Sequence, residues 1–163
     1  MLSNTRVGSS MKTPALETRA ATRAVDLRTV VWSDLVTYST PVRGSLTVVE
    51  SGIDLPYVLA RIFYIYGTTK DSERGAHAHR ATWQSFVAIR GSFKLELTNG
   101  RDLQQYEMNR ADRILHVPPM IWARLYNFTE DAVCLVLASS LYDPSDYVRE
   151  WEDYVAMIDR FSQ

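Results

Sequence analysis

Two of the chain's three histidines stand two residues apart, in Glu73-Arg74-Gly75-Ala76-His77-Ala78-His79. An extended backbone sends alternate side chains to opposite faces, so His77 and His79 share one face of a strand. Paired imidazoles suit two chemistries, ligation of a metal ion and general acid/base catalysis. The residues downstream decide between them. After Arg80-Ala81-Thr82-Trp83 comes Gln84, an amide where a metal site would want a carboxylate, and after six further residues comes Gly91. A bland alternative is a pair of satisfied core histidines.

The spacing His-x-His, four residues, acid, six residues, Gly resembles the first signature of the cupin barrel, with Gln84 in the acid's place. A second stretch, Pro118-Pro119-Met120-Ile121-Trp122-Ala123-Arg124-Leu125-Tyr126-Asn127, resembles the second signature in its first Pro and last Asn. Met120 fills the Gly slot of that signature and Ala123 its His slot. Two of four ligands are therefore missing, and zinc sites normally take three or four protein ligands. The expectation is a cupin that has lost its metal and kept its histidines, with no metal and no cofactor.

The chain as a whole fits one soluble domain. It has 163 residues, 46% of them hydrophobic and 23% charged, with a net charge of −1. That balance gives no electrostatic reason to expect nucleic acid or an anionic membrane as partner. No apolar run approaches the roughly 20 residues of a spanning helix, and no secretory signal opens the chain. A cytoplasmic protein is expected. The single cysteine, Cys134, lies in an apolar run and reads as a buried thiol.

Residues 1–24 are polar and without a sustained period, and read as a flexible leader. Residues 25–141 carry short apolar stretches separated by turns, with no helix between them. Thr98-Asn99-Gly100-Arg101 lies between two alternating runs, and Asn-Gly is a strong hairpin signal. The stretch 58–66 has two unlike faces, one with Leu59, Arg61, Phe63 and Ile65, the other with Ala60, Ile62, Tyr64 and Tyr66. Residues 142–163 read as one helix with Asp143 as N-cap and Pro144 in its first turn. Tyr147, Trp151, Tyr154, Ile158 and Phe161 then fall on one face. The fold class expected is all-β: an antiparallel jelly-roll barrel with a C-terminal α-helix packed on the barrel or on a dimer interface.

Taken in order, several blocks resemble the nucleotide-sugar 3,4-ketoisomerases. They are Arg43-Gly44-Ser45-Leu46, Arg61-Ile62-Phe63-Tyr64-Ile65-Tyr66, the His77/His79 block, Val117-Pro118-Pro119-Met120-Ile121-Trp122 and Tyr142-Asp143-Pro144-Ser145-Asp146-Tyr147. The resemblance runs from about Leu27 to Tyr154. It implies a metal-independent homodimer that moves the keto group of a dTDP-linked 4-keto-6-deoxyhexose from C4 to C3, towards 3-amino or 3-acylamino deoxysugars. Histidine suits the proton transfers, because its pKa lies near working pH. His79 is the first choice as carbon base, with His77 and a tyrosine, Tyr66 or Tyr64, moving protons between the oxygens. Arg43, Arg61, Arg74 and Arg124 are candidates for the diphosphate. Trp122 is a candidate for stacking on the base. Ser45, Gln84 and Ala123 are candidates for contacts with the sugar, and Ser45 and Ala123 for the choice of C4 face. The rival readings are a 3,5-epimerase-like enzyme, a non-catalytic nucleotide-sugar-binding cupin and a metal-dependent cupin oxygenase.

Overall fold

A computed structural model describes residues 25–160. The expected leader, 1–24, and Phe161 lie outside the described residues. In chain order the strands are β1 (Val31–Asp34), β2 (Thr37–Thr40), β3 (Gly44–Thr47), β4 (Arg61–Ile65), β5 (Arg74–His79) and β6 (Gln84–Arg90). Then come β7 (Phe93–Thr98), β8 (Leu103–Met108), β9 (Arg113–Val117), β10 (Trp122–Tyr126), β11 (Val133–Ala138) and β12 (Tyr147–Val148), followed by the helix α1 (Trp151–Arg160).

Two five-stranded antiparallel sheets make the body of the molecule. The first has the order β1-β9-β6-β11-β4 and the second β12-β5-β10-β7-β8. Their inner faces share one core. Phe86, Leu115, Cys134 and Val136 come from the first sheet, and Phe93, Leu95, Leu97 and Leu125 from the second. On β7 the alternation is complete: Phe93, Leu95 and Leu97 are fully buried, while Lys94, Glu96 and Thr98 lie between them on the other face. Burying each such side chain stabilises the fold by roughly 1.5–3 kcal/mol. This is the expected all-β architecture, and Cys134 is a buried thiol within it.

The Asn99-Gly100 turn forms as expected between β7 and β8. Asn99 Oδ1 accepts the backbone N–H groups of Arg101 and Asp102, at 3.0 and 2.8 Å. Gly100 takes a φ of +86°, which costs glycine little.

The C-terminal segment departs from expectation. Asp143 and Pro144 do open a helical turn, but it is a three-residue 3₁₀ turn, Pro144–Asp146, with Asp143 accepting from Ser145 N–H. The chain then extends as β12 beside β5, with Tyr147 opposite His79. The α-helix begins only at Trp151. An Asp-Pro pair stops a turn's first N–H groups from going unpaired in either helix type, so the signature alone does not set the helix length. Tyr154 and Ile158 are the buried face of α1, against Ala78 and Val148. The Tyr154 hydroxyl donates to the carbonyls of Thr98 and Met120, at 2.9 and 3.0 Å, and ties the helix to the second sheet.

β2 and β3 form a separate hairpin that joins neither large sheet. Tyr38, Val42 and Leu46 on it are exposed, as are Ile62 and Tyr64 on β4, the edge strand of the first sheet.

Candidate active site

A cavity of about 140 Å³ opens between the sheets, walled by Phe63 and Ile65 of β4, Gln84 and Phe86 of β6, and Ala123 and Leu125 of β10. Arg74, His77 and Tyr147 also line it. His77 and His79 are brought together as their spacing required, with ring centroids 5.0 Å apart. The backbone in front of them is unusual: Gly75 and Ala76 both take positive φ, and β5 slips by one residue against β10. A bulge of this kind re-aims the side chains that follow it.

The hydrogen bonds of the pair define its proton chemistry. His77 Nδ1 lies 2.9 Å from the Gly75 carbonyl, which can only accept, so the neutral ring carries its proton on Nδ1. His79 Nδ1 lies 2.7 Å from Asp146 Oδ2. Its Nε2 is buried with no hydrogen-bond partner among the described residues. Burial pushes both imidazoles below the ordinary histidine range; the Gly75 carbonyl opposes this at His77 and Asp146 opposes it at His79. Burial works against the Asp146 charge, but hydrogen bonds from Thr82, His79 and Ala81 hold that carboxyl below its usual range. At neutral pH the arrangement is therefore two neutral imidazoles, each with an unprotonated Nε2, beside one carboxylate.

Tyr147 packs on both rings, at 4.3 Å from His79 and 4.9 Å from His77 between centroids. Neither Asp146 nor Tyr147 is among the site residues expected from the sequence. Both sit in the Asp-Pro-Ser-Asp-Tyr block that opens the expected helix, and the helical spacing of Tyr147 with Trp151 and Tyr154 gives no local sign of the strand that forms instead.

Other expected site residues scatter. Gln84 and Ala123 line the cavity, as does Arg74. Arg61 lies on the inward face of β4, its guanidinium 5.2 Å from the Phe63 ring and 5.7 Å from the Tyr142 ring. Its Nε is buried without a hydrogen-bond partner among the described residues. Tyr64 and Tyr66 do not meet the histidines. They are 63% and 67% exposed, because strand alternation puts them on the face opposite Phe63 and Ile65. Arg124 points to the outer side of its sheet, held by Glu73 and Glu96 at 3.0 and 3.1 Å. Trp122 is on that outer side too, edge-on to Trp151 under the helix. Arg43 and Ser45 ride on the β2–β3 hairpin, exposed, and Ser45 bonds Ser39 at 2.7 Å. None of these last four lines the cavity.

Among the described residues no group of three or more His, Cys, Asp or Glu is placed to hold a metal ion. No helix among them is long and apolar enough to cross a membrane.

The chain has known relatives in sequence and in fold. A TDP-4-oxo-6-deoxy-alpha-D-glucose-3,4-oxoisomerase of Aneurinibacillus thermoaerophilus is 34% identical over 112 residues, which is 69% of this chain and 81% of that protein. The sugar 3,4-ketoisomerase QdtA of Thermoanaerobacterium thermosaccharolyticum, solved in complex with TDP, aligns with a TM-score of 0.80 at 32% identity, over 83% of this chain and 98% of that one. A dTDP-4-dehydrorhamnose 3,5-epimerase of Bacillus anthracis aligns at 12% identity with a TM-score of 0.66, over 76% of this chain and 79% of that one, a likeness of fold alone. Residues 28–159 match the model of the family described as FdtA, WxcM-like, C-terminal, and the chain belongs to that family.

Proposed function

We propose that this protein is a dTDP-4-keto-6-deoxyhexose 3,4-ketoisomerase, working without a metal. The observation that carries this is the His77–His79 pair, with His77 lining the cavity and each Nδ1 held by an oxygen acceptor, which leaves each Nε2 as the proton acceptor of a neutral ring. Moving a ketone from C4 to C3 asks for two proton transfers and no redox partner. The C3 proton, acidified by the adjacent carbonyl, passes to a base and is returned to C4; the O3 proton passes to O4. An enediol lies between. His77 is the carbon base in this reading, because it lines the cavity while His79 stands behind it. This replaces His79 as the first choice from sequence. His79 and Tyr147 handle the oxygen-bound proton, Tyr147 in place of Tyr64 or Tyr66. Arg61 and Arg74 are the diphosphate ligands, and Gln84 and Ala123 contact the sugar. The 3-keto product is the form that a transamination at C3 would consume.

The working unit is a homodimer in the cytoplasm. The unattached β2–β3 hairpin and the outer face of β4 together expose Tyr38, Val42, Leu46, Ile62 and Tyr64, apolar surface that a second copy would cover. A Leu46→Glu, Tyr64→Glu double variant is expected to run as a monomer in light scattering.

Incubation of the metal-stripped protein with dTDP-4-keto-6-deoxyglucose in D2O, followed by proton NMR, tests the activity. Migration of the ketone to C3 with deuterium entering at C4 is the expected outcome. Deuterium at C3 and C5 without migration would instead establish an epimerase. Nucleotide-sugar binding with no exchange would leave a binding protein.

A further inference from the structure

Asp146 is the most heavily bonded carboxylate near the cavity, and no sequence signature assigned it a role. Its Oδ1 accepts the Ala81 N–H at 2.7 Å. Its Oδ2 accepts the Thr82 hydroxyl at 2.6 Å and faces His79 Nδ1 at 2.7 Å. Its backbone carbonyl accepts the Arg80 N–H at 2.8 Å, and Arg80 Nε donates to the neighbouring Ser145 carbonyl at 3.2 Å. The 3₁₀ turn that carries Asp146 is thus strapped to the segment that follows the histidines. Both of its oxygens are committed to donors, so its position relative to the ring is fixed from three sides. The nitrogen on the far side of that ring, Nε2, is the atom left without a partner in a side chain only 5% exposed.

We propose that Asp146 is a positioning residue for the reaction, holding His79 as its Nδ1–H tautomer so that Nε2 stays an unprotonated acceptor. The role rests on the isomerase reading, but the tautomer does not. A carboxylate can only accept, so it selects the Nδ1–H form. The groups that face His79 are Asp146, Arg61, Arg149, His77 and Tyr147. Asp146 is the sole anion among these, and it alone favours the protonated ring.

The substitution Asp146→Asn separates positioning from simple strapping. If the amide oxygen keeps the Ala81 N–H, the amide NH2 is turned to His79 Nδ1 and forces the Nε2–H form. Nitrogen-15 NMR of histidine-labelled protein, with His79 assigned by loss of its signals in His79→Gln, reads the tautomer directly. The wild type is expected to show His79 with Nδ1 protonated and Nε2 not. In Asp146→Asn the Nε2 signal moves towards the protonated range. Turnover falls about a hundred-fold, the scale of one general acid/base contribution, with KM changed far less. The acid limb of the kcat profile moves to lower pH, since the anion that favoured the imidazolium is gone. Asp146→Glu restores the Nδ1–H form and part of the turnover.

Thr82→Val removes one strap and keeps the carboxylate, so it retains the wild-type tautomer and loses much less turnover than Asp146→Asn. The proposal is overturned if His79 keeps Nδ1–H in Asp146→Asn, or if Thr82→Val loses as much as Asp146→Asn. An absence of isomerase activity in the wild type would overturn the isomerase reading while the tautomer result still stood or fell by itself.

Discussion

Ala123 stands directly opposite His77 in the ladder between β10 and β5, and both side chains face the cavity. The smallest chiral side chain is thus set beside the residue proposed as carbon base, and in that proposal the sugar ring occupies the cavity the two side chains line. Ala123→Leu is expected to fill that space, weakening TDP-sugar binding at least about ten-fold, the loss of roughly 1.4 kcal/mol. Isothermal titration checks this. Ala123→Gly should bind as the wild type does, since it only enlarges the cavity.

The four candidate arginines divide into two classes by what already holds them. Arg61 has a buried Nε with no hydrogen-bond partner among the described residues, whereas Arg124 is taken by Glu73 and Glu96. A charge-assisted hydrogen bond contributes about 1.5–3 kcal/mol, so Arg61→Ala should raise the KM for the nucleotide sugar by ten-fold or more. Arg124→Ala should leave KM close to the wild-type value. Steady-state kinetics of the two variants side by side decides the assignment.

Gly75 has no room for a side chain. Its φ is +80°, and an added Cβ would lie 2.6 Å from the Ala123 carbonyl oxygen. Its own carbonyl also fixes the His77 ring. Gly75→Ala must shift the β5–β10 pairing, and a strained backbone of this kind costs on the order of 1–3 kcal/mol. Urea denaturation should show the stability loss, and turnover in the folded fraction should fall as well, because His77 moves with its anchor.

Stability should fall on mild acidification. Burial lowers the pKa of all three imidazoles, His77, His79 and His116, below the ordinary 6.5. The unfolded chain then takes up protons at higher pH than the folded one, so stability rises with pH in that window. The contribution is complete above about 6.5 and is lost progressively as pH drops towards the folded values. His116 lies away from the cavity, between Ser85 at 2.7 Å and Ser33 at 3.1 Å. His116→Gln should flatten the dependence without removing it, as seen in urea midpoints measured from about pH 7.5 to 5.5.

Much of this site was legible in the chain, for reasons of local physics. The two-residue repeat of an extended strand places His77 and His79 together whatever the sheet does, and Gln84 and Ala123 follow from spacing to the same block ends. The same repeat divides β4 correctly into an Arg61-Phe63-Ile65 face and a Tyr64-Tyr66 face. Periodicity does not say which face turns inward when both are apolar, and Tyr64 and Tyr66, candidates from the sequence, stand on the exposed face. Trp122 and Arg124 share a motif with Ala123 but alternate with it, so proximity in sequence put them at a site that the strand turns them away from. Asp146 and Tyr147 were hidden for a different cause. Their role depends on β12 pairing with β5, a contact that spans 67 residues and leaves no local pattern.

That long span has a consequence for how the protein is made. A ribosome releases His77 and His79 well before the segment that carries Asp146, and the two large sheets can close without it, since β12 is an edge strand of two residues. A nascent chain could therefore hold a folded body and both imidazoles while the ring of His79 lacks its carboxylate. Competence for proton transfer would arrive as a late and separate event, when the last strand docks. Binding of the nucleotide and turnover of the sugar should then become separable in time during synthesis.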